Sequence, residues 1–160
     1  MAKIEKLSDL LEIAVRIERN GLDFYKALTH SAENPAAKDT FSFLAAEEEK
    51  HIGVFRKMLE KVAEYTPRFT YPGEYELYLE GVASRSVFTE GKMQDKKITS
   101  CQNISQAVEV AMDFESQSIL FYNELLGSFK GTAKKYLDEV IKEEKGHFAK
   151  LAEMKDRLKF

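Results

Sequence analysis

Along most of this chain apolar residues recur at alternating steps of three and four, the period of a helix that buries one stripe. Four segments keep that period. The first carries Leu11, Ala14, Glu18, Gly21, Tyr25 and Leu28, and the second Phe41, Leu44, Glu48, His51, Phe55, Met58 and Val62. The third carries Ile104, Val108, Ala111, Glu115, Ser118, Tyr122 and Leu125, and the fourth Leu137, Val140, Glu144, His147, Leu151, Met154 and Leu158. Such seams predict an all-α four-helix bundle packed at shallow crossing angles. Ser8 or Asp9 can cap the first helix, which runs to about Leu28. Asn34 as N-cap with Pro35 at the first helical position opens the second, which runs to about Tyr65. Asn103 and Gln106, at capping-box spacing, open the third, which ends near Leu126. Gly127 and Gly131 bracket a turn before the fourth, which ends near Leu158. Gly21 costs about 1 kcal/mol relative to alanine inside a helix, so on a seam it is expected to make room for a neighbour.

The two halves repeat each other. "AVRIERNGLDFYKAL" from Ala14 aligns with "AMDFESQSILFYNEL" from Ala111 at an offset of 97, matching Ala, Glu, Phe, Tyr and Leu. "EEEKHIGVFRKM" aligns with "EEKGHFAKLAEM" at an offset of 96, matching Glu48 to Glu144 and His51 to His147. A near-constant offset across both helices indicates a duplicated helical hairpin within one domain, 1–160. Hairpin one covers about 5–65, a crossover about 66–101 and hairpin two about 102–158. A connection as long as the crossover is unusual as a plain loop. It suits a chain that spans the bundle, so that helices two and three run parallel.

Each seam is interrupted by ionisable residues at mid-length. Glu at i and His at i+3 share a helix face, so Glu48 with His51 and Glu144 with His147 can each address one point. Glu18 lies about ten residues before its turn and Glu48 about twelve after it, which levels the two acids in an antiparallel pair at 1.5 Å per residue. Glu115 and Glu144 match in the same way. Four acids and two histidines thus converge on one layer. Four buried carboxylates without countercharge would be prohibitively costly. Two divalent ions carry enough charge to cancel them, and a Glu from each of two helices plus Glu-x-x-His from each of two others is a known di-iron or di-manganese arrangement. Carboxylate and imidazole donors suit iron or manganese better than a soft metal.

Composition narrows the setting. Hydrophobic residues make up 44% and charged residues 32% of 160, which suits a folded helical domain. The formal net charge of −3 offers no basic footprint for nucleic acid. A single cysteine, Cys101, excludes a disulfide framework or a Cys-x-x-Cys metal knuckle. No apolar run approaches a membrane span, and no secretory signal is evident, so a cytoplasmic protein is expected.

The repeated Glu/Glu-x-x-His set resembles the ferritin-like superfamily, most closely its rubrerythrin-like branch, over nearly all of both hairpins. The resemblance implies that Glu48 and Glu144 bridge two metals, while Glu18 with His51 and Glu115 with His147 are more terminal. It also implies that Tyr25 and Tyr122 sit near the metals. The cofactor so implied is a pair of iron ions, with manganese or a mixed pair as alternatives. The implied function is oxidation of the reduced centre by hydrogen peroxide or dioxygen, in oxidative-stress defence. Two departures matter. The sequence holds one cysteine where a rubredoxin-type site needs four, so electrons are expected from a separate donor such as a rubredoxin-like protein. The family's second glutamate, one turn after the helix-three acid, is Ser118 here. The alternative function is non-catalytic iron binding, storage or delivery, and a third is a bundle that keeps metal only for folding.

Other residues are expected to be structural. His30 falls beyond the first seam, where an imidazolium can favour the last carbonyls of its helix. Glu47, Glu49, Glu109 and Glu143 fall off the seams and are expected on solvated faces. The aromatic cluster Phe69, Tyr71, Tyr75 and Tyr78 covers the bundle in one reading and forms a dimer surface in another, and a homodimer is the expected assembly.

Overall fold

A computed structural model describes residues 7–62, 77 and 103–157. They form four helices: α1 Leu7–Ser31, α2 Pro35–Glu60, α3 Ile104–Leu126 and α4 Gly131–Arg157. There is no strand among the described residues. The architecture is the all-α four-helix bundle expected from the seams, and the seams face inward. Leu11, Ala14, Leu44, Phe55, Met58, Val108, Ala111, Leu125, Leu137 and Leu151 have no exposed surface.

The ends follow local chemistry. The Asn34 side chain accepts from the Ala37 N–H at 3.1 Å with Pro35 at N1, and the Asn103 side chain accepts from the Gln106 N–H at 3.0 Å. Two boundaries differ from expectation. α1 begins at Leu7, so Ser8 and Asp9 lie in its first turn, where Asp9 favours the positive end of the helix dipole, and it continues to Ser31. α2 stops at Glu60 instead of reaching Tyr65. There the chain tightens, with the Lys61 N–H bonded to the Met58 carbonyl at 3.2 Å. Gly131 has φ 58, a left-handed conformation that glycine adopts without a Cβ penalty.

α1 packs on α2 and α3 on α4, and the hairpins join through α1 with α3 and α2 with α4. Tyr25 of α1 meets Glu115 of α3 while Glu18 meets Tyr122, so these helices run antiparallel. Phe43 and His51 of α2 meet His147 and Glu143 of α4 in the same crossed order. α2 and α3 therefore run in the same direction, as a long crossover requires. Apart from Leu77, the crossover, with Cys101 and the cluster Phe69, Tyr71, Tyr75 and Tyr78, lies outside the described residues.

Gly21 has the role its seam position indicated. A Cβ there would lie 2.5 Å from Cζ of Phe114 and 3.2 Å from Cδ of Glu48. α1 and α3 approach closely at this level, beside the ionisable layer.

Candidate metal centre

All six ionisable seam residues meet in that layer. Glu18, Glu48, His51, Glu115 and Glu144 are at most 1% exposed and His147 is 3% exposed. Their donor atoms form two overlapping groups, each with its atoms within 4.8 Å of one another: Glu18, Glu48, His51 and Glu144, then Glu48, Glu115, Glu144 and His147. Glu48 and Glu144 belong to both groups, the place a bridging carboxylate takes. His51 Nδ1 lies 2.9 Å from Glu144, 3.5 Å from Glu18 and 4.0 Å from Glu48. His147 Nδ1 lies 3.4 Å from Glu144 and 3.7 Å from Glu115.

The donor set can be tested for fit to metal ions without assuming any. Buried polar atoms are hydrogen-bonded in the great majority of cases. Here Oε2 of Glu18 and Glu115, both oxygens of Glu48 and of Glu144, and Nδ1 of both histidines are buried with no hydrogen-bond partner. The His51–Glu144 approach is close but lacks hydrogen-bond geometry. Every one of the six residues contributes at least one such atom to the same layer. Hard oxygen and borderline imidazole donors in two four-residue sets fit a pair of divalent transition ions.

Burial and neighbouring charges act together on some groups of the layer and in opposite directions on others. Burial first, then the carboxylates of Glu18 and Glu144, push Glu48 well above the usual carboxylate range. Burial and Glu144 push Glu115 up likewise. Burial would also raise Glu144, but contacts with Glu115 and both histidines hold it below the usual range. For the histidines burial acts downward and the carboxylates overcome it. His51 is held up at about 11 by Glu144 and Glu18, and His147 at about 9 by Glu115 and Glu144. Glu48, Glu115 and both histidines thus favour their protonated forms without metal, and divalent ions would displace those protons.

Around the layer the phenols cross between hairpins. Tyr25 of α1 donates to Oε1 of Glu115, and Tyr122 of α3 donates to Oε1 of Glu18. Each orients a glutamate whose other oxygen faces the cluster. Burial, then the neighbouring carboxylates, raise both phenols well above their ordinary range and keep them neutral donors.

One expectation is corrected. Glu143 is not a purely solvated residue: its half-exposed side chain reaches Nε2 of His51 at 2.8 Å. Glu47 is also only partly exposed and pairs with Lys50. Spacing along α4 gave no signal for Glu143, because the group it reaches lies on α2. Glu49 and Glu109 are exposed, and His30 bonds the Lys26 carbonyl through Nδ1 at 2.7 Å. Ser118 is buried, with its hydroxyl unpartnered.

The bundle and its layer define a ferritin-like di-iron carboxylate fold. The rubrerythrin family model matches residues 9–155, and the chain belongs to that family. Among solved structures, it is similar to a protein from Thermotoga maritima provisionally described as a ferritin-like diiron-carboxylate protein. The identity is 28%, with 98% of each chain covered and a TM-score of 0.66. It also shares its fold with a hypothetical protein from Pyrococcus furiosus, at 23% identity and a TM-score of 0.67 over 94% of this chain and 89% of that one. No curated protein matches the sequence. No described helix is long and apolar enough to cross a membrane.

Proposed function

We propose that the layer holds two iron ions and that the loaded protein reduces hydrogen peroxide or dioxygen. The observation that carries this reading is the set of orphaned donor atoms on all six residues, in two groups sharing Glu48 and Glu144. Membership of the rubrerythrin family supports it. Manganese, or one ion of each kind, would satisfy the same donors.

Two reduced iron ions, when bound, supply one electron each to the O–O bond. Reduction of hydrogen peroxide takes two electrons and two protons and leaves two waters. The chain's own residues prepare the site. Glu18 and His51 would hold one ion, Glu115 and His147 the other, and Glu48 with Glu144 would serve both. Tyr122 and Tyr25 fix the terminal glutamates through their outer oxygens. The seam neighbours Leu44, Phe55, Val140 and Leu151 are at most 1% exposed and close the layer against water. A separate reductant, such as a rubredoxin-like protein, returns the electrons. A cytoplasmic homodimer working against oxidative stress completes the proposal.

Ser118 gives a second reading its footing, since the glutamate expected there by family resemblance is missing. In that reading the protein binds, stores or delivers iron without sustained turnover. The deciding experiment loads metal-free protein with Fe²⁺ anaerobically, measures bound metal and adds peroxide with optical monitoring. About two ions per chain and repeated turnover with a reductant support the redox reading. A single oxidation followed by iron release favours iron handling. Failure to retain iron would defeat both.

A further inference from the structure

The two histidines have different outer partners. Nε2–H of His51 donates to the Glu143 carboxylate from α4 at 2.8 Å, which turns Nδ1 toward the cluster. His147 instead meets the phenyl ring of Phe43 edge-on, with centroids 6.2 Å apart and planes at 89°. Lys150 Nζ sits 4.9 Å over that phenyl ring. At the offset of 96, the repeat's counterpart of Glu143 is Glu47. Glu47 is bonded to Lys50, one turn along its own helix. The counterpart of Lys50 is Gly146, which has no side chain to compete for Glu143. Packing does not demand glycine there, because a Cβ at Gly146 would meet nothing within 4 Å.

We propose that Glu143 is a positioning residue for His51 and that Lys50 withholds Glu47 from His147. The two half-sites are then inequivalent, and a divalent ion loads first at Glu18, Glu48, His51 and Glu144. This rests on the metal reading above. A carboxylate behind a ligating imidazole fixes its tautomer and ring orientation, and losing it costs about 10- to 100-fold in metal affinity. Among the described residues His51 has that support and His147 does not, so the difference between the halves is of the same order. Glu143 is half-exposed, so its replacement leaves the core intact.

The test is titration of the metal-free protein with Co²⁺ alone, followed by its ligand-field absorption and by NMR of the imidazole rings. Two steps are expected, with the His51 ring perturbed in the first and the His147 ring in the second. Glu143→Ala weakens the first step by about 10- to 100-fold and leaves the second in place, while Glu143→Gln, still an acceptor, recovers part of the loss. Gly146→Lys, which sets a competitor beside Glu143, weakens the first step too. Lys50→Ala frees Glu47 and tightens the second. Equal weakening of both steps by Glu143→Ala, or no weakening, overturns the proposal, as do two ions bound with indistinguishable constants. Those outcomes leave the metal reading standing, whereas absence of Co²⁺ binding removes both.

Discussion

The two hairpins of this bundle are copies in sequence and unequal in chemistry. Glu48 and Glu144 are repeat equivalents, both fully buried, yet burial and its acidic neighbours drive Glu48 toward its neutral form while Glu144 stays ionised. The distances explain why. Glu144 lies 2.9 Å from one imidazole and 3.4 Å from the other, whereas Glu48 lies 4.0 Å from His51. Gly21 and Ser118 are likewise equivalent at the offset of 97, but one lets Phe114 approach and the other buries an unpartnered hydroxyl. Duplication preserved the ligand types, and packing between the copies separated their environments.

The largest contrast is expected when the two shared glutamates are changed separately. Both Glu48→Gln and Glu144→Gln are expected to lower metal content from about two ions per chain toward none, since each residue serves both groups. The metal-free proteins should differ. Glu144→Gln leaves two imidazolium groups without their main counter-ion and should cost about 3 kcal/mol. Glu48→Gln replaces a neutral acid by a neutral amide and should move Tm by no more than about 2 °C. Metal analysis and thermal unfolding of both variants decide this, and equal Tm losses would mean that the charge is shared evenly.

A pH series tests the same charge distribution. His51 and His147 are held at about 11 and about 9, above the ordinary 6.5, so in the metal-free protein they favour folding while protonated. Their contribution is whole below 6.5, and is gone above about 9 for His147 and above about 11 for His51. Glu48 and Glu115, raised by burial and acidic neighbours, lose their contribution in the same upward direction. Glu144, held down, contributes above 4.5 and loses that as pH falls through its depressed value. Metal-free Tm is therefore expected to decline from pH 6.5 upward, while the increment from added metal grows because fewer protons compete. A metal-free Tm that rises between pH 7 and 9 would contradict this balance.

The repeat-equivalent small residues Gly21 and Ser118 should respond in opposite directions. Gly21→Ala forces the Phe114 ring to move and should destabilise by about 1–3 kcal/mol, the usual range for overpacking. Ser118→Ala removes an unpartnered hydroxyl and should be neutral or stabilising by up to about 1 kcal/mol. Denaturant titration of the pair measures the contrast. Smallest and most symmetric, Asn34→Ala and Asn103→Ala should each cost about 1 kcal/mol, because the same cap opens the second helix of one hairpin and the first of the other.

The seams made the helices legible because period and caps are local properties. Asn34, Asn103 and Pro35 act within one turn of themselves, and the glycine at position 21 signalled a close neighbour without naming it. Helix ends were less legible: α2 stops at Glu60 although the apolar period continues to Val62. Glu143 was misjudged because its partner lies on another helix, at a position that no spacing along α4 reveals.

Sequence alone determined four amphipathic helices, a duplicated hairpin and six ionisable residues on the buried stripes, since a helix's face follows from its 3.6-residue period. Only the tertiary structure decided which phenol holds which glutamate, which shared carboxylate keeps its charge and which histidine has a carboxylate behind it. Those outcomes depend on distances of a few ångströms between helices far apart in the chain, and over such distances in a buried layer the balance of burial and charge can reverse.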